Sequence, residues 1–239
     1  MAEGSEGSEN EHAQKVHTLW LEACAQLSLP LSVCEAQWCD VLVPRYTEHH
    51  RHYHTMQHLV EMCMLIDAYR TLLKDLPTVV LAALFHDVIY DVPPHSAARQ
   101  KSNEEESARV FEKFAECSGL GQTHPAVSRR VAHYIRCTEK HKAAHLEGED
   151  GSDLRLFLDF DLAVLGSAPA RYSQYARQIR AEYAGLPDAA YTAGRAAVLR
   201  TLACAGRVFL TDAMEAARGQ AARDNIAGEQ AALHRAGAG

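Results

Sequence analysis

The segment Arg51-His-Tyr-His54-Thr-Met-Gln-His58 is followed, 28 positions after its last residue, by an adjacent His86-Asp87. His54 and His58 are four apart, a spacing that puts two side chains on one face of a helix. His86-Asp87 closes an apolar run, Leu81-Ala-Ala-Leu-Phe85, which reads as buried on all sides. Ionisable groups at the edge of a core are costly unless compensated. A metal ion supplies that compensation, because neutral imidazole and carboxylate are both ligands. A later carboxylate would complete such a site. Asp159 and Asp161 both qualify, since apolar residues flank them on either side. Two imidazoles and two carboxylates suit manganese, iron, cobalt, nickel, zinc or magnesium, with positions left open for water or substrate. The chemistry expected of such an ion is to lower the pKa of a bound water and to polarise a phosphoryl oxygen.

The residues around these two clusters resemble a known family. Histidine, then His-Asp, then a distant Asp is the ligand order of the HD-domain metal-dependent phosphohydrolases. A subgroup of predicted HD hydrolases is more similar still. Its pattern is matched by Arg51-x-Tyr53-His54-x-x-x-His58, Ala83-Leu-Phe-His86-Asp87-x-x-Tyr90, Asn103-Glu-Glu-x-x-Ser107-Ala108, Ile135-x-x-Thr138-x-x-His141, Asp159-x-Asp161-Leu-x-x-Leu-Gly166, Arg180-x-Glu182-Tyr183 and Tyr191-x-x-Gly194-Arg195. The resemblance runs, in the same order, from about residue 45 to 210. The resemblance implies that His58, His86, Asp87 and one late Asp bind the metal, with Asp161 favoured over Asp159 because Leu162 follows it. Tyr53-His54-x-x-x-His58 is also similar to the signature of cyclic-nucleotide phosphodiesterases, which implies a proton-donating role for His54. The chain departs from that branch in having Thr55 for Asn and no second histidine soon after His-Asp, which argues against a phosphodiesterase-type two-metal site.

Other residues carry weaker signals. Arg51 offers a guanidinium fork that fits phosphate, or an ion pair within the fold. Glu104 and Glu105 suit the first turn of a helix, yet their place after the His-Asp loop makes Glu105 a candidate to activate water. His141, and less so His133, could serve phosphate or a second metal. In an inositol-oxygenase-like di-iron enzyme, a second reading of the same scaffold, His141 would hold the second iron. A third reading is a non-catalytic nucleotide-binding protein that keeps the site. His49, His50 and His52 read as rim, and Arg180 and Arg195 as salt-bridge residues.

The elements that must position these groups are helical nearly throughout. Val16, Leu19, Trp20, Ala23, Cys24 and Leu27 predict a helix over 11–28. Further helices are expected near 32–43, ended by Pro44, from the histidine cluster through Tyr69, from Pro77 to His86, over 104–117 and 124–138, and over 168–185 and 188–217. Residues 91–101 and the acidic stretch 146–153 read as loops. The expected architecture is all-α, a single-domain helical bundle of the HD-domain type over 11–217, with a disordered acidic segment 1–10 and a flexible Ala/Gly-rich tail 218–239.

The net charge of −7 argues against an extended nucleic-acid surface. Seven cysteines without a C-x-x-C pair exclude a zinc ribbon and a disulfide framework, and point to a reducing compartment. Cys24, Cys63 and Cys204 read as small core residues. With no signal-like or membrane-spanning stretch, the expected location is the cytoplasm, the nucleus being left open. The expected partner is a small phosphorylated substrate.

Overall fold

The structure, a computed structural model, describes residues 3–92, 101–141 and 150–237. It is all-α: no strand occurs among the described residues. The chain divides into two compact units where the sequence reading expects one domain. One comprises residues 1–91 and 99–160, the other 92–98 and 161–239.

In the first unit, helix α1 (Glu3–Gln26) buries Val16, Leu19, Trp20, Ala23 and Cys24 at the expected spacing, but starts eight residues earlier than that spacing marks. Helix α2 (Leu31–Gln37) passes through a π-helical stretch, Trp38–Leu42, into the short helix α3 (Val43–Tyr46). A single helix ended by Pro44 is therefore corrected. Proline has no N–H for the helical ladder, and the wider π turn, in which Val43 N–H reaches back to Trp38 O, lets the chain continue with Pro44 at the start of α3.

Helix α4 (Met56–Ala68) begins after the cap residue Thr55, whose hydroxyl accepts from Gln57 N. Helix α5 (Leu76–Phe85) carries Pro77 in its first turn, as expected, and is capped by Asp75, whose side chain accepts from Thr78 N. From Val79 to Phe85 it is wholly buried, the signature of a helix apolar all round at the centre of a bundle. Packed against it are α1, α4, α6 (Asn103–Cys117), capped by Ser102, and α8 (Pro125–Cys137); the short α7 (Leu120–Thr123) lies between α6 and α8, and α9 (Asp150–Asp161) follows. Trp20, Phe85, Phe111 and Phe114 form one aromatic cluster, with neighbouring ring centroids 5.3 to 6.4 Å apart. Each such ring contributes on the order of 1.5–3 kcal/mol by burial.

Residues 150–153, expected in a loop, belong to α9, and Asp153 is buried. Its carboxylate accepts from the backbone N–H groups of Lys74 and Asp75, at 2.8 to 3.1 Å, which ties α9 to the start of α5. The rest of that acidic stretch, 146–149, and most of the 91–101 loop lie outside the described residues.

In the second unit, a 3-10 turn (Leu162–Gly166) leads to α10 (Pro169–Glu182), α11 (Asp188–Cys204) and α12 (Asp212–Gly237). The expected helix 188–217 is cut at Gly206, whose φ of +75° reverses the chain. The expected flexible tail is instead the body of α12. Met214, Ala222 and Ile226 are buried along one face of it, a stripe that the Ala/Gly-rich composition hides. Gly166 passes so close to α12 that a Cβ there would stand 2.6 Å from the Arg218 carbonyl oxygen.

All seven cysteines are free. Cys24 and Cys63 are core residues, and burial pushes the Cys63 thiol up to about 12, with Asp67 adding to the shift. Cys204 is exposed, a correction to the core reading. No described helix is long and apolar enough to cross a membrane.

Candidate metal centre

The C-terminal end of α5 sets up the site. A helix leaves its last carbonyls without intrahelical partners, and here almost all find other donors. Ala82 O accepts from His86 N, and Ala83 O accepts from the His86 ring at Nδ1, 2.8 Å away. Leu84 O accepts from the Tyr46 hydroxyl at 3.0 Å, and Phe85 O accepts from Val88 N. Asp87 O and Val88 O accept from the Arg51 guanidinium. The chain therefore leaves the helix along a defined path, with the His86 ring and the Asp87 carboxylate held at its end.

His58 comes from the first turn of α4, and Asp161 is the last residue of α9. Each of His58, His86, Asp87 and Asp161 offers a ligand atom, and those atoms all lie within 4.8 Å of one another. Both imidazoles are buried, with side chains 1% exposed, and Asp87 is 14% exposed. His58 Nε2 is 3.2 Å from His86 Nε2, and Asp87 Oδ2 is 2.9 Å from His86 Nε2.

The donor chemistry of this group can be tested for fit. Because Nδ1–H of His86 is committed to Ala83 O, its neutral ring turns a bare Nε2 lone pair on the Asp87 oxygen. Two acceptors 2.9 Å apart repel unless positive charge lies between them. A proton could bridge two of these groups, whereas a divalent cation can use all four. Ala83 O is then the outer hydrogen-bond partner that fixes the tautomer of a ligand histidine.

His54 stands beside the group, 3.9 Å from Asp87 Oδ2 and 17% exposed. Its ring stacks on Tyr90, centroids 3.9 Å apart. His54 does not share a helix with His58 as the spacing suggested. It precedes the Thr55 cap, whose extended backbone turns the chain, yet the two rings still lie 5.9 Å apart.

Several expectations are corrected. Arg51 does not offer a free fork: its side chain is 0% exposed and its nitrogens donate to Glu48, His54 O, Asp87 O and Val88 O. Glu105 does not serve as a free base. Arg136 donates to both its oxygens, and these hydrogen bonds hold its carboxyl below the usual range. His141, His133 and Asp159 lie outside the four-residue group, which among the described residues is the single cluster of its kind. His50 lies at the rim, where its Nε2–H donates to Tyr90 O at 2.9 Å. Arg180 and Arg195 are salt-bridge residues as expected: Arg180 pairs with Asp188 and Arg195 with Glu229, through two bonds of 2.8 and 3.0 Å. The sequence reading gave no role to Tyr46 and Tyr90. Tyr90 belongs to the His-Asp-x-x-Tyr pattern, which was the available signal, whereas nothing local marks Tyr46 as a cap for a helix 38 residues away.

The HD-domain family model matches residues 50–185, more than half of the chain and all four members of the cluster. The chain belongs to the HD-domain family, whose members are generally metal-dependent hydrolases. Neither a curated protein nor a solved structure matches it.

Proposed function

We propose that the protein is a metal-dependent phosphohydrolase acting on a nucleotide or another small phosphate ester. One observation carries this reading: in an HD-domain chain, two buried imidazoles and two carboxylates converge within 4.8 Å, with His86 locked in the tautomer that points Nε2 inward. His58, His86, Asp87 and Asp161 would hold one divalent ion, which suits manganese, iron, cobalt, nickel, zinc or magnesium. Such an ion, when bound, supplies Lewis acidity toward a phosphoryl oxygen and lowers the pKa of a coordinated water.

The chain's own residues do the rest. The buried walls around His58 and His86 keep the ligand atoms from bulk water, where they would be solvated individually. His54 is the imidazole at the rim that reaches solvent, and its stacking on Tyr90 limits its motion. That position suits it to give a proton to the oxygen leaving phosphorus. The substrate is then a small phosphorylated molecule approaching from the His54 side, in the cytoplasm, with neither a membrane nor a nucleic-acid surface as partner. No observation favours the oxygenase reading, for which His141 is not one of the four clustered residues.

The test is a phosphate-release screen across nucleotides and simple phosphate esters, with each divalent ion added in turn. Release that Asp87→Ala abolishes supports the reading. A protein that binds metal and nucleotide but releases phosphate from none of them is the non-catalytic binder instead.

A further inference from the structure

We propose that Arg51 is a positioning residue whose planar guanidinium sets the separation of His54 from Asp87, and through it both metal affinity and proton transfer at His54; this rests on the metal-centre reading above. Nη1 donates to two main-chain oxygens at once, His54 O at 3.2 Å and Asp87 O at 2.6 Å. Nη2 donates to Val88 O at 3.2 Å and Nε to Glu48 Oε2 at 3.0 Å. The Tyr46 and Tyr90 rings hold the group, their centroids 5.2 and 5.6 Å from its central carbon. Tyr90 is also the ring on which His54 stacks. One rigid side chain thus touches the main chain of the proton donor, the main chain of the carboxylate ligand and the platform under the donor's ring.

Burying a cation is costly, and a single half-covered carboxylate offsets it only in part. The carbonyl-rich end of α5 contributes the remaining negative potential. Lysine could supply the charge but not the fork, because an ammonium is a point donor that cannot span carbonyls on two segments.

The experiment compares Arg51→Lys with Glu48→Gln, a milder variant that removes the charge facing Nε and leaves the three carbonyl contacts, and with Phe114→Leu, a core control that is neither a clustered ligand nor a partner of Arg51. Three quantities are read: Mn²⁺ affinity by titration, kcat and KM on p-nitrophenyl phosphate at saturating Mn²⁺, and amide hydrogen exchange in the metal-free protein. Arg51→Lys is expected to weaken Mn²⁺ binding by about 10- to 100-fold, the range for lost outer partners of metal ligands. It lowers kcat with KM nearly unchanged, and exchange speeds up at 52–58 and 86–90 together while α6 and α8 keep their protection. Glu48→Gln moves the same quantities less. Phe114→Leu, at a matching fall in Tm, moves none of them. The proposal is overturned if Arg51→Lys tracks Phe114→Leu, or if only one of the two segments opens. Wild-type protein that fails to bind Mn²⁺ sinks the metal reading instead, and the exchange arm still judges the coupling by Arg51.

Discussion

The Nδ1 atom of His86 lies 2.8 Å from the carbonyl oxygen of Ala83, three residues earlier on the same helix. That hydrogen bond satisfies an orphan carbonyl at the end of α5 and decides which ring nitrogen faces Asp87. The end of the helix and the tautomer of the ligand are thus one structural fact. His86→Asn shortens the side chain and ends this arrangement. Stoichiometric metal should be lost from the purified variant, as measured by elemental analysis, while far-ultraviolet circular dichroism stays that of the native helical protein.

His54 touches Asp87 at 3.9 Å and is not a member of the ligand cluster. His54→Gln should therefore bind Mn²⁺ as tightly as wild type. Its kcat should fall about 10²- to 10⁴-fold, the usual contribution of general acid catalysis. Equal losses of Mn²⁺ affinity and kcat would place His54 among the ligands.

Asp153 stabilises the bundle at the end of α5 remote from the cluster. Its buried carboxylate accepts from Lys74 N and Asp75 N, and Asn in its place keeps only one acceptor oxygen. Asp153→Asn should cost about 1.5–3 kcal/mol, the range for hydrogen bonds to a charged group. For a chain of this size that lowers Tm by roughly 3–12 °C. Thermal denaturation checks it.

Two carboxylates predict how stability falls in acid. Arg136 lowers Glu105 through hydrogen bonds. For Glu215, burial acts in the raising direction, but Arg223 and the N–H groups of Phe209 and Val208 outweigh it, and the net shift is downward. A carboxyl with a depressed folded pKa contributes stability that is complete above its unfolded value of about 4.3 and is lost as pH falls through the folded value. Urea midpoints should therefore be flat near neutrality and drop below about pH 4.3. Glu215→Gln should start lower at neutral pH and show a shallower drop.

Much of the site was legible because ionisable residues at the end of an apolar run have few cheap explanations. His86 and Asp87 followed from that argument, while His58 came from its place in the histidine cluster and from the family resemblance. The choice of Asp161 came from family resemblance, and helix geometry is consistent with it: two residues apart on α9, Asp159 and Asp161 point roughly 160° apart. Asp159 is buried and is not one of the four clustered residues. Arg51 was read with two roles because a fork for phosphate and a fork for carbonyls are chemically alike. Only the fold shows which oxygens it meets. The helix of 212–237 was missed because alanine and glycine blur the apolar stripe that Met214, Ala222 and Ile226 supply.

The central claim is that His58, His86, Asp87 and Asp161 share one divalent cation. Its most direct measurement is a Mn²⁺ titration of the metal-stripped protein beside His58→Ala, Asp87→Ala, Asp161→Ala and Asp159→Asn. The account predicts one tight site per chain, lost in the first three variants and retained in Asp159→Asn. Stoichiometric binding that survives removal of Asp87 or Asp161, or no binding by the wild-type chain, would contradict it.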